Sequence, residues 1–129
     1  MAIMLAYDGM ENTKKALEYA IEHSKVYKDK LYIFSVISSK DMLDKENEVL
    51  YVRKYLEEAE KEAIEKGANA EILLESGTPA KGILAAAERF GIKTIVVGRS
   101  DKTAFDRAVL GSVSEYVVRN ARCTVIVVQ

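Results

Sequence analysis

Short apolar runs alternate along the chain with longer segments in which apolar residues recur every three or four positions. Ile3 to Tyr7 is the first run. Asp8-Gly9 then reads as a turn, and Ala16, Leu17, Ala20, Ile21 and Ser24 share one helical face with Lys and Glu between them. Leu31 to Ile37 reads as a second strand. A polar stretch from Ser38 to Lys45, expected to be loop, precedes a long helix with Val52, Tyr55, Leu56, Ala59 and Ala63 on one side. Gly67 stands where a C-terminal glycine belongs. Glu71 to Leu74 is a third strand. Thr78 and Pro79 suit the cap and first position of a helix with the stripe Ala80, Ile83, Leu84 and Ala87, ending at Gly91. A strand from Thr94 to Val97, a helix from Gly111 to Asn120 and a strand from Thr124 to Val128 complete the alternation.

Strands that are apolar on both faces need cover from two sides, and right-handed crossover helices supply it around a parallel sheet. The pattern therefore predicts one doubly wound α/β domain over residues 1–129, with four helices and five strands. Ligands of such sheets bind beyond the carboxyl ends of the strands, where the strand order reverses. Asp8, Val36 and Gly98, at the ends of strands one, two and four, mark that place.

Composition narrows the function classes. The chain is 49% hydrophobic, enough to bury a core at 129 residues. Lys and Arg number 19 against 20 Asp and Glu, a formal net charge of −1 that offers no overall field to nucleic acid or an anionic membrane. No apolar run nears the roughly 18 residues of a spanning helix. MAIMLAYD is too short and turns acidic too soon for a signal peptide, so a cytoplasmic protein is expected. Cys123 is the only cysteine and reads as a small apolar residue; His23, the only histidine, reads as a solvated side chain on a charged helix. Tyr51 and Tyr55 read as the rim and core of the long helix. With no P-loop, metal-ligand cluster or nucleophile beside a base, an enzyme is not expected.

The stretch VVGRSDKTAFDRAVLGSVSE, residues 96 to 115, is where chemistry would reside. Gly98 allows close approach of the backbone to an anion and access to angles that other residues avoid. Gly111-Ser112 places free N–H groups at a helix start, where the partial positive charge sits. A phosphate fits between them. The same residues also allow a plain structural reading, because Ser112 with Glu115 spells a capping box and strand-end glycines serve turns.

The spacing Gly98, two residues, Asp101, nine residues, Gly111-Ser112 resembles the signature G-x2-G-x9-G-[ST] of ATP-binding universal stress proteins, with one glycine replaced. LAYDGMENTKKALEYA is similar to that family's first strand and helix. ESGTPAKGILAAAERFGIKTIVVGRS is similar to its stretch leading into the loop, and ARCTVIVV to its last strand. The resemblance covers nearly the whole chain. It implies an adenine nucleotide alpha hydrolase-like sheet of strand order 3-2-1-4-5 and a homodimer formed through the C-terminal strand. It also implies a site for ATP or AMP, with adenine and ribose against Ala6, Tyr7, Asp8 and Val36. The phosphates would lie among Gly98, Gly111, Ser112, Val113 and Ser114.

Asp101 departs from the signature. A carboxylate about 5 Å from a phosphate charge repels it by roughly 3 kcal/mol at an effective dielectric near 20, about a hundredfold in affinity. Arg99, Lys102 and Arg107 in the same loop oppose that repulsion, and Mg²⁺ would turn Asp101 into a ligand. Two functions follow as expectations: a stress-response regulator that signals through a bound adenine nucleotide, or a nucleotide-free dimeric scaffold working by protein association. Slow ATP hydrolysis is a third, weaker reading.

Overall fold

The computed structural model describes residues 1–99 and 111–129. Asp101, Lys102 and Arg107 therefore lie outside the described residues. Five strands and four helices alternate: β1 (Ala2–Ala6), α1 (Lys14–Tyr27), β2 (Lys30–Ile37), α2 (Met42–Glu65), β3 (Ala70–Ser76), α3 (Pro79–Arg89), β4 (Ile92–Gly98), α4 (Ser112–Asn120) and β5 (Thr124–Val128). A 3-10 turn, Glu11–Thr13, precedes α1. All four strand pairings are parallel, in the order β3-β2-β1-β4-β5. The order reverses between β1 and β4.

Period-two alternation sends the strands' side chains into two cores. Ile3, Leu5, Leu31, Ile33 and Val96 pack with Leu17 and Ile21 of α1 and Leu56 and Ala63 of α2. Met4, Phe34, Ile95 and Val97 pack on the other face with Ile83, Ala86 and Ala87 of α3 and Val117 of α4. Helical spacing identifies these faces well: α1 buries the same five residues that its sequence period marks. In α3 the stripe is shifted slightly, with Ile83, Ala86 and Ala87 buried and Ala80 and Leu84 half-buried.

The helix boundaries show where local chemistry outweighs composition. The stretch expected to be loop up to Lys45 is already helical from Met42, because the Asp41 side chain caps it by accepting from Leu43 N at 3.0 Å and Asp44 N at 3.2 Å. A polar, exposed first turn is compatible with a helix once its free N–H groups have an acceptor. Thr78 does occupy the N-cap of α3 with Pro79 next, but its side chain makes no capping bond. No helix among the described residues is long and apolar enough to cross a membrane.

Candidate functional site

Asp8 follows β1 directly and organises the turn beyond it. Its Oδ1 accepts from Met10 N at 2.9 Å and lies 2.7 Å from Thr13 Oγ1. Thr13 is buried, and its hydroxyl sits 2.9 Å from the Met10 carbonyl as well, so one proton serves two acceptors. The methyl group of the same residue faces β4: a Cβ added at Gly98 would come within 3.1 Å of Thr13 Cγ2. Ser114 Oγ donates to the Gly98 carbonyl at 2.9 Å. The β1 turn, the end of β4 and the first turn of α4 are thus tied together across the reversal point.

Gly98 does not have the left-handed backbone that the sequence allowed for, and neither does Gly111. At Gly98 the close approach of Thr13 leaves little room for a Cβ. Gly111 is extended at φ −65° and ψ 158°, where any residue fits, and serves as the N-cap of α4 without a side chain. Glu115 N donates to Gly111 O at 2.8 Å, so the N–H groups of Ser112, Val113 and Ser114 precede the first intrahelical donor. The capping box is not formed: Ser112 makes no cap bond, and Glu115 accepts from Arg119 Nε at 3.0 Å. With no side chain among the described residues closing it, this helix end retains its capacity for an anion.

The end of β2 has a different property. Along this strand the backbone groups of successive residues turn alternately to its two neighbours. Lys30 N donates to Met1 O and Phe34 O accepts from Tyr7 N on the β1 side, while Leu31 N donates to Asn69 O and Ile37 O accepts from Gly77 N on the β3 side. Val36 therefore directs its N–H and C=O toward β1, which has already ended at Ala6. Continuing the ladder would join Val36 N to Tyr7 O, and among the described residues that bond is not made. Tyr7 O accepts from Ser35 Oγ instead. A donor and an acceptor on one edge are thereby left facing the crevice.

The universal stress protein family model matches residues 1–129. The chain belongs to the universal stress protein family. Universal stress protein MJ0531 of Methanocaldococcus jannaschii is 30% identical over 98% of this chain and 81% of its own length. Among solved structures, universal stress protein UspA from Lactobacillus plantarum superposes with a TM-score of 0.88, at 20% identity over 100% of this chain and 97% of that one. The universal stress protein from Archaeoglobus fulgidus in complex with dAMP superposes with a TM-score of 0.84, at 22% identity over 100% and 98%.

In this universal stress protein, Ala6, Tyr7, Asp8 and Val36 meet at the ends of β1 and β2, and Gly98 lies beside them on β4, tied to α4 through Ser114. Arg99 extends the β4–β5 ladder, its N donating to Val128 O at 3.1 Å, and its Nη1 donates to Gln129 at 3.1 Å. Asp101 and Lys102, expected at the phosphates, fall outside the described residues.

Three contributors to this end of the sheet were not anticipated from sequence: Thr13, Ser35 and the Gly9–Tyr55 contact. Small hydroxyls opposite a strand-end glycine or one residue before a strand-end valine are the only signals, and neither is specific. The Tyr55 ring stands edge-on to Tyr7 at 5.7 Å between centroids and covers Gly9. Burial raises the phenol pKa of both tyrosines above the ordinary value, followed for Tyr7 by the carboxylate of Glu62.

Of the residues set aside from sequence, Tyr55 thus reaches the site, whereas His23 and Cys123 do not take part in it. His23 lies between Tyr19 and Tyr27 on α1, with centroids at 5.7 and 4.6 Å. Cys123 is half-buried, and burial pushes its thiol up, which makes it less nucleophilic. An open depression of about 720 Å³ on the outside of α2, lined by Arg53, Lys54, Glu57 and Lys61 among others, carries mixed charge and is remote from the β1–β4 crevice. The strand ends, where polar groups converge, fit a ligand site better than this surface does.

Proposed function

We propose that the protein binds an adenine nucleotide, ATP or AMP, at the β1–β4 crevice and acts in the cytoplasm as a dimeric, nucleotide-dependent regulator rather than as an enzyme. The observation carrying this reading is the exposed edge of Val36. An N–H and a C=O side by side complement the acceptor N1 and the donor N6 of adenine. The uncapped start of α4, tied to the same crevice through Ser114 and Gly98, supplies the complementary anion site. Asp8, exposed beside them, offers a carboxylate to a ribose hydroxyl. The Archaeoglobus fulgidus relative in complex with dAMP supports the choice of ligand class.

The nucleotide-free scaffold is the second reading, and Asp101 is the residue that favours it. Its charge would oppose a triphosphate more than a monophosphate, whose charge stays near the ribose. Wild type and Asp101→Gly should be titrated calorimetrically with AMP and ATP, with and without Mg²⁺. Wild type is expected to bind AMP, and to bind ATP well only with Mg²⁺ bridging Asp101 and the phosphates. Asp101→Gly should tighten metal-free ATP by about 1–2 kcal/mol, the Coulomb figure discounted for solvent, and leave AMP nearly unchanged. An equal gain for both nucleotides would assign the effect to the backbone. No binding by either protein would transfer the case to the scaffold.

Assembly follows from the edge at β5. Among the described residues this strand is paired only with β4, and its apolar residues Val125 to Val128 are half-buried. A bare apolar edge invites association, and a two-fold pairing of β5 with its copy would cover it. Ile126→Lys is expected to convert a dimer into a monomer in sedimentation velocity at micromolar concentration. A monomeric wild type under those conditions would refute the assembly.

A further inference from the structure

The crevice edge of β2 is open because a side chain diverts its natural partner, and this points to a positioning device that rests on the nucleotide reading. A carbonyl only accepts, so the single proton of Ser35 goes to Tyr7 O; the Tyr55 hydroxyl, 3.0 Å from Ser35 Oγ, must then be the donor in that pair. The bonds run in one direction, from Tyr55 to Ser35 to the Tyr7 carbonyl. Ser35 is buried, Tyr55 partly so, and the raised phenol pKa keeps Tyr55 protonated and able to donate at neutral pH. Without this relay the Tyr7 carbonyl would be the nearest acceptor for Val36 N–H, since Tyr7 N already makes the preceding rung to Phe34 O at 2.9 Å.

We propose that Ser35, backed by Tyr55, is a positioning residue that holds the Tyr7 carbonyl away from the β1–β2 ladder and so keeps the Val36 N–H and C=O open as the recognition edge for the base. The relay touches no ligand itself. Its effect is confined to the base: the α4 end of the crevice, where phosphate would sit, is built from other residues.

Amide hydrogen exchange measured by NMR on the nucleotide-free protein tests the relay without any ligand. In Ser35→Ala, and in the double variant Ser35→Ala with Tyr55→Phe that removes both hydroxyls, Val36 N–H should gain the Tyr7 carbonyl and exchange at least about tenfold more slowly relative to neighbouring β2 amides. Ser35→Thr, which keeps the hydroxyl, should restore the wild-type rate. In parallel, AMP affinity should fall about tenfold in Ser35→Ala and recover in Ser35→Thr, while ribose 5-phosphate, which lacks the base, binds all three proteins alike. Unchanged Val36 exchange in the double variant overturns the relay, as does an equal loss for AMP and ribose 5-phosphate. Slowed exchange with no AMP binding in wild type upholds the relay and overturns the nucleotide reading.

Discussion

Gly111→Val is expected to weaken binding of ATP by about a hundredfold or more while the fold survives. The phosphate end of the proposed site consists of backbone N–H groups at the first turn of α4, and the glycine N-cap has no side chain to cover them. A branched side chain there stands between the ligand and the helix end. Hydrogen bonds to a charged group contribute about 1.5–3 kcal/mol each, so losing two of them accounts for a factor of that size. The backbone at Gly111, extended at φ −65°, accommodates valine without strain. Exchanging a glycine N-cap for valine costs only about 1 kcal/mol. Calorimetric titration beside a urea melt separates the two effects. Unchanged affinity would mean that the helix end is not the phosphate site.

Gly9→Val is expected to cost about 3 kcal/mol of stability, the largest effect of any glycine replacement in the described part of the chain. Two penalties coincide at this position. The backbone has φ +76°, which disfavours any β-branched residue, and an ideal Cβ would sit 2.6 Å from Cγ and Cδ2 of Tyr55. That ring cannot swing away cheaply, since its hydroxyl is bonded to Ser35 and the ring makes T-shaped contacts with Tyr7 and Tyr51. Gly91 supplies the control: its φ is +62°, but no atom lies within 4 Å of an added Cβ. Gly91→Val should therefore show the backbone penalty alone, about 1–2 kcal/mol. Urea denaturation of both variants decides the matter, and equal losses would remove the argument for packing by Tyr55.

The two predictions differ in how much of their basis is legible in the chain. Gly111 stands in a recognisable spacing with Gly98 and Ser112, and its importance to a phosphate can be argued from those letters. Gly9 reads as an ordinary Asp-Gly turn. Nothing local indicates that Tyr55, 46 positions further on, comes to rest on it. The capping box at Ser112 and Glu115 shows the converse. Its letters are correct, yet Glu115 pairs with Arg119 and the helix begins one residue earlier than a Ser112 cap requires.

By itself the sequence determined the order of the elements, the faces they bury and the end of the sheet where a site would form. These are properties of period and of right-handed crossover, which depend on residue types at short range and on chirality. Its family signature located Gly98, Gly111 and Ser112, and Asp101 as their exception. The tertiary structure alone decided how those positions sit: that Gly98 lies close against Thr13, and that among the described residues no side chain caps the helix at Gly111 and Val36 keeps an unpaired edge. The first is a steric contact; the other two turn on which hydrogen-bonding group reaches an acceptor first when several segments converge. Competition of that kind is settled by differences of an ångström between residues distant in the chain, and no local pattern encodes it.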